Sequence, residues 1–191
     1  VDKPALLRRL PRFRRMLWAR FFIEGATFST PFYVLFAQRD LGVGLAQTGV
    51  YVAALNAGRV LTGPLWGRIS DRFGASNGLC AVSAGVALAP LIALTAAPER
   101  TWLIVATFFL IGAVQDGVWM TATNANMQAV SDRDRPLALG LATVCLAASA
   151  ANGMLGGAVA AFAGYPAVFA LSAAMSLVGL VAAATLSRTP C

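Results

Sequence analysis

The chain has 191 residues, 58% hydrophobic and only 12% charged, with a formal net charge of +7 and no histidine. Its mean hydropathy of +0.70 belongs to a membrane protein, since soluble globular domains are roughly 45–50% apolar. Without imidazoles, histidine metal sites, Ser-His hydrolases and histidine acid–base pairs are excluded. Cys80, Cys145 and Cys191 lie far apart with no CxxC spacing, so they read as packing residues rather than zinc ligands or a disulfide framework.

The chain opens on Lys3, Arg8, Arg9, Arg12, Arg14, Arg15 and Arg20. Arg20 and Glu24 interrupt the apolar run that follows and no A-x-A-like site ends it, which argues against a signal peptide. No nucleic-acid motif accompanies the basic cluster, so no nucleic acid is expected as a partner. Residues 1–15 read as a basic cytoplasmic linker anchoring the first span by the positive-inside rule. A bilayer core of about 30 Å needs about 20 apolar helical residues. Six stretches satisfy this, to within about three residues: 16–38, 45–69, 77–97, 101–124, 137–160 and 165–186. The gaps carry turn signals, such as Arg39-Asp40-Leu41-Gly42, Pro98-Glu99-Arg100 and Gly164-Tyr165-Pro166. The expected architecture is all-α, an integral membrane bundle of six helices over residues 16–187, with a short tail at 188–191. With the amino terminus in the cytoplasm, twelve Lys and Arg fall on that side and two, Arg39 and Arg100, on the other, with Arg59 inside a span. Both termini are therefore expected to be cytoplasmic in a multi-pass protein of the cell membrane.

Between the second and third spans the sequence reads Gly63-Pro64-Leu65-Trp66-Gly67-Arg68-Ile69-Ser70-Asp71-Arg72-Phe73-Gly74. A tight cytoplasmic turn solvates charge that a bilayer core would reject. Gly63 and Gly67, at small-xxx-small spacing, should let a neighbouring helix approach. Asp71 should meet exposed amides at the start of the third helix, and Gly74 should permit the turn. The spacing Gly67-x-x-x-Asp71-Arg72-x-Gly74, in this topological position, resembles the signature loop of the major facilitator superfamily of secondary transporters. The resemblance implies that Gly67, Asp71, Arg72 and Gly74 form a cytoplasmic gating loop that breaks and reforms as two bundles alternate. Ala75 and Ser76 stand where the family usually has two further basic residues, as in the degraded copy of its second half. Pro31-Phe32-Tyr33-Val34-Leu35 with Leu41-Gly42, and Asp132-Arg133-Asp134-Arg135-Pro136, resemble the opening span and a later cytoplasmic loop of that half. Six spans against the family's usual twelve imply a carboxyl-terminal half, a fragment or half-length chain, with a second six-helix bundle as partner. Asn152-Gly153-Met154-Leu155-Gly156-Gly157 is similar to the G-P-x-x-G-G element of drug/proton antiporters, but Asn-Gly replaces Gly-Pro, and a close-packing glycine face explains it equally well.

Charged residues within spans are costly and line a protein interior or a wet cavity. Arg20 and Glu24 fall in the first span, Arg59 in the second and Asp116 in the fourth, with none in the third, fifth or sixth. The resemblance also implies that the first and fourth helices border the cavity. At 1.5 Å per residue, Glu24 lies about 12 Å from its cytoplasmic end, Arg59 roughly 13 Å from Arg68 and Asp116 roughly 20 Å deep, so the three should share a layer. Arg20, four residues before Glu24, offers it a local partner instead. Asp116, Trp119, Met120, Thr123 and Met127 fall on one helical face, mixed enough to suit an amphipathic organic solute, although Trp and Met equally serve packing. Asn56 and Gln47 add hydrogen-bonding capacity. The candidate substrate or ion site is thus Asp116, Glu24, Arg59, Trp119 and Asn56, with no catalytic or metal residues. No nucleotide loop is present and no cofactor is expected. The function expected is one half of a secondary active transporter moving a small organic solute across the lipid bilayer, with proton coupling through a carboxylate. The alternative is a non-transporting six-span structural or regulatory protein.

Overall fold

The computed structural model describes residues 11–128, 130–150 and 152–187, all in helices, turns and short links. The first span comprises α1 (Pro11–Ala26), a 3-10 turn (Thr27–Ser29) and α2 (Thr30–Arg39). The break has a local cause. Pro31 lacks an N–H and its ring crowds the carbonyl four residues earlier, so the ladder cannot pass through Thr27. Hydroxyls mend the gap: Thr30 Oγ1 donates to the Thr27 carbonyl at 2.8 Å, Thr27 Oγ1 to that of Glu24 at 2.7 Å, and Ser29 and Ser172 both to that of Ala26. Each such group left unpaired within a bilayer would cost several kcal/mol, at least roughly 2.

The second span, α3 (Thr48–Phe73), runs four residues past its expected end, and α4 (Ala75–Leu94) begins at once. The turn between them is the single residue Gly74, at φ 83° and ψ 154°, a conformation open to glycine. Asp71 and Arg72 therefore occupy the last helical turn rather than a loop. The fourth span is α5 (Trp102–Gln128), the fifth starts with α6 (Arg135–Ala150), and α7 (Asn152–Ser187) covers the rest. At about 54 Å, a straight α7 would overshoot the bilayer core. It breaks at Gly164, φ 79° and ψ 174°, into residues 152–163 and 165–187, and the chain turns back there. Gly156 packs on Phe28 and Phe32 on the way out; Phe169, Ser172 and Gly179 meet Tyr33, Ser29 and Ile23 on the return. Ala75–Leu94, Trp102–Ala125 and Asn152–Thr185 are each long and apolar enough to cross a membrane.

Contacts between spans fix the topology. Leu55 meets Gly112, Trp66 meets Gly117 and Ser70 meets Asn124, so α3 and α5 run parallel. Gly78 meets Thr121 and Gly85 meets Val114, so α4 runs antiparallel to α5. The tightest crossing is glycine on backbone. A methyl at Gly112 would collide with the Leu55 carbonyl, and one at Gly58 with the Phe109 carbonyl and the Ala113 nitrogen. Thr62 Oγ1 donates to the Ala113 carbonyl at 2.7 Å, and Trp66 Nε1 donates to the same oxygen. The expected approach at Gly63 and Gly67 does not occur: Gly63 faces open space, and Gly67 meets only the end of Met120. The interior divides into an aliphatic core around Ile23, Leu79, Val82 and Val118 and an aromatic core in which Tyr33 stacks on Phe169 and Tyr51 on Phe108.

Candidate solute-binding site

One helical turn beyond the Leu55–Gly112 contact, the same two helices present Arg59 and Asp116 to each other. Arg59 Nη2 donates to Asp116 Oδ1 at 2.9 Å and Nε to Oδ2 at 3.2 Å, a two-point pairing in which the planar guanidinium matches the carboxylate fork. The side chains remain 43% and 37% exposed. The pair therefore lies on the outside of this bundle, near the middle of both helices. Asn56, one turn from Arg59, is exposed and donates Nδ2 to the Val52 carbonyl at 2.9 Å. Trp119, one turn from Asp116, is 64% exposed. Thr123 and Met127 are half-buried, while Met120 packs against the aliphatic core. Gln47 is exposed in a 3-10 turn (Leu45–Gln47) ahead of α3.

Glu24 is elsewhere. Its Oε1 lies 3.7 Å from Arg20 Nε on the same helix, and its carboxylate lines a pocket of 310 Å³ inside the bundle. The expected common layer of Glu24, Arg59 and Asp116 thus separates into two places. On α5, successive residues point about 100° apart: Gln115 turns into the pocket and Asp116 toward Arg59. Sequence reasoning did not find the pocket or the hydroxyl chain behind it, in which Ser29 Oγ lies 3.0 Å from both Tyr33 OH and Ser172 Oγ. The available signal was Pro31 in mid-span with Ser29 and Tyr33 two residues to either side; Ser172, 143 residues away from Ser29, carried none.

At the other end of α3, Asp71 is exposed and makes no hydrogen bond or ion pair among the described residues. It does not cap α4, whose first turn has no side-chain cap. The charge is held out where another surface can reach it. Arg72 lies over the Phe73 ring at 5.6 Å. Asn124 Nδ2 donates to Ser70 Oγ at 3.2 Å and ties this end of α3 to α5. In the 152–157 stretch, Gly156 packs closely whereas Gly153 and Gly157 face open space. Among the described residues no His, Cys, Asp or Glu cluster could hold a metal ion.

A bundle of apolar helices, parallel and antiparallel by turns, three of them long enough to cross a membrane, describes an all-α integral membrane protein. The sequence matches the Major Facilitator Superfamily over residues 7–190. The chain belongs to that superfamily and is a membrane transporter of its class; members of the family are transporters rather than enzymes. No curated protein matches it.

Proposed function

We propose that this chain is one six-helix half of a secondary transporter that moves a small organic solute by alternating access, coupled to protons, with a second such bundle facing the Arg59–Asp116 surface. The observation that carries this reading is the exposure of that pair. Charge at mid-span is not tolerated against lipid, so a surface bearing a half-exposed ion pair, Asn56 and Trp119 calls for water or protein opposite it. Solute sites of secondary transporters lie near the midplane at the interface of two repeats, which is where this surface would lie. A non-transporting six-span protein, with charges serving folding alone, would show a shallow, wholly satisfied set of charges and no cavity.

The ends of α3 and α4 supply the gate in this reading. Gly67, Asp71, Arg72 and Gly74 sit at a one-residue turn with the Asp71 carboxylate free to engage the second bundle. In this reading the twelve-to-two basic asymmetry favours a cytoplasmic position for that turn and both termini, with the cell membrane as the expected location. The test is accumulation of a panel of radiolabelled small organic solutes by vesicles carrying the complete protein. Asp116→Asn, which keeps shape and hydrogen bonding but cannot ionise, should abolish gradient-driven accumulation of the transported solute and leave its exchange intact. Accumulation unchanged by Asp116→Asn would remove the coupling role, and no uptake of any solute would remove the reading.

A further inference from the structure

The pocket beside the break in the first span has a chemistry of its own. The hydroxyl protons of its rim are spent on backbone: Thr27 donates to the Glu24 carbonyl, Thr30 to that of Thr27 and Ser172 to that of Ala26. What these side chains turn outward is oxygen lone pairs. Glu24 adds a carboxylate and is the charged residue on the lining; Arg20, one turn back along α1, pairs with it from outside the lining, Nε 3.7 Å from Oε1. Gln115, on the opposite wall, makes no side-chain hydrogen bond among the described residues. The remaining wall is apolar, from Leu55, Val86 and Val114. Thr27 and Gln115 are exposed, so the pocket opens on that side. Its 310 Å³ is far more than the roughly 30 Å³ of one water and reaches the low end of organic-ligand sites, at about 300 Å³.

A site with hydroxyl oxygens and a carboxylate at one end, a Gln115 carboxamide able to turn its oxygen inward, and an apolar wall complements a ligand with a donor-rich cationic head and a short apolar body. We infer that this pocket binds a small organic ammonium, with its nitrogen facing the Glu24 carboxylate and the Thr27 and Thr30 oxygens and its body against Leu55, Val86 and Val114. The inference rests on the transport reading for the fate of the ligand, though its binding does not require transport. A bare inorganic cation would leave most of this volume and all of the apolar wall unused.

The test uses three probes of one shape, 2-phenylethylammonium, 2-phenylethanol and phenylacetate, in equilibrium dialysis against the full chain in lipid nanodiscs, with empty nanodiscs as blank. The ammonium should bind at least about tenfold more tightly than the alcohol, as hydrogen bonds to a charged partner imply, and the carboxylate should not bind. Glu24→Gln should bring the ammonium down to the level of the alcohol and leave the alcohol unchanged. Should Glu24→Gln not fold, Glu24→Asp, which keeps the charge but draws the carboxylate back by one methylene, should weaken the ammonium severalfold and the alcohol hardly at all. Equal binding of ammonium and alcohol by the unaltered chain would overturn the inference. So would a preference erased by Asp116→Asn and kept by Glu24→Gln, which would move the site to the outer face. Ammonium binding without transport of any solute would uphold the pocket and remove the transport reading; transport of other solutes with no ammonium preference would do the reverse.

Discussion

Replacing Gly112 by alanine probes the contact that positions the ion pair. The added methyl would collide with the Leu55 carbonyl oxygen and stand 2.7 Å from the carbonyl carbon, against an ordinary carbon–carbon separation of about 3.5–4.0 Å. α3 and α5 must then part by at least about 0.8 Å, because the obstructing atoms belong to helical backbone and cannot swing aside. Overpacking of this kind costs about 1–3 kcal/mol, or roughly 2–12 °C in midpoint for a chain of this length. Arg59 and Asp116 each lie four residues beyond the contact, so the same parting should loosen their two-point pairing and reduce transport. The assay is thermal unfolding of the purified protein in detergent, with Gly63→Ala as control. Gly63 faces open space, where alanine's better helix propensity, worth up to about 1 kcal/mol, should leave stability equal or slightly raised. A Gly112→Ala protein that unfolds no earlier than Gly63→Ala would refute the account of this crossing.

Asp71→Asn should insert and unfold as the parent does, because Asp71 has no partner among the described residues to lose, while transport slows; an unchanged rate in the folded variant would reduce the turn to a topological role. Asp116→Asn should lower the unfolding midpoint far less than Gly112→Ala, since the pair is half-exposed, and a larger loss would mean the pair is a main brace of the bundle. Cysteine at Arg100 should react with an impermeant thiol reagent in intact cells and cysteine at Arg133 only after permeabilisation; the opposite pattern would invert the orientation.

Hydropathy and length made the all-α membrane class legible, because a bilayer imposes one length on every crossing. Gly74 and Gly164 were marked as turns and are turns, both at positive φ. Arg59 and Asp116, rare mid-span charges expected to share a layer, do so and pair. The break at Thr27–Ser29 is not legible in hydropathy, since it follows from the one backbone donor that Pro31 lacks. Glycine spacing misled as well. Gly63 and Gly67 carry the small-xxx-small signature, yet Gly58 and Gly112 make the close contact, because the register between two helices is set by all their side chains together. Glu24 and Asp116 have similar depths by arithmetic, but helical rise fixes height alone, and the direction each side chain takes around its axis depends on the neighbours it packs against.

The central claim, that the face bearing Arg59 and Asp116 lines a path opened alternately to either side of the membrane, is tested most directly by two-sided labelling. Asn56→Cys and Trp119→Cys would be introduced one at a time into the complete protein with its native cysteines replaced, and treated with an impermeant thiol reagent in right-side-out and in inverted vesicles. Leu177→Cys, at an exposed apolar position of α7 in a stretch without charge, serves as the lipid-facing control. The account predicts that both test positions react from each side, that an imposed gradient shifts the balance between sides, and that Leu177→Cys stays unreactive. Reaction of Leu177→Cys with silence at Asn56→Cys and Trp119→Cys would contradict it.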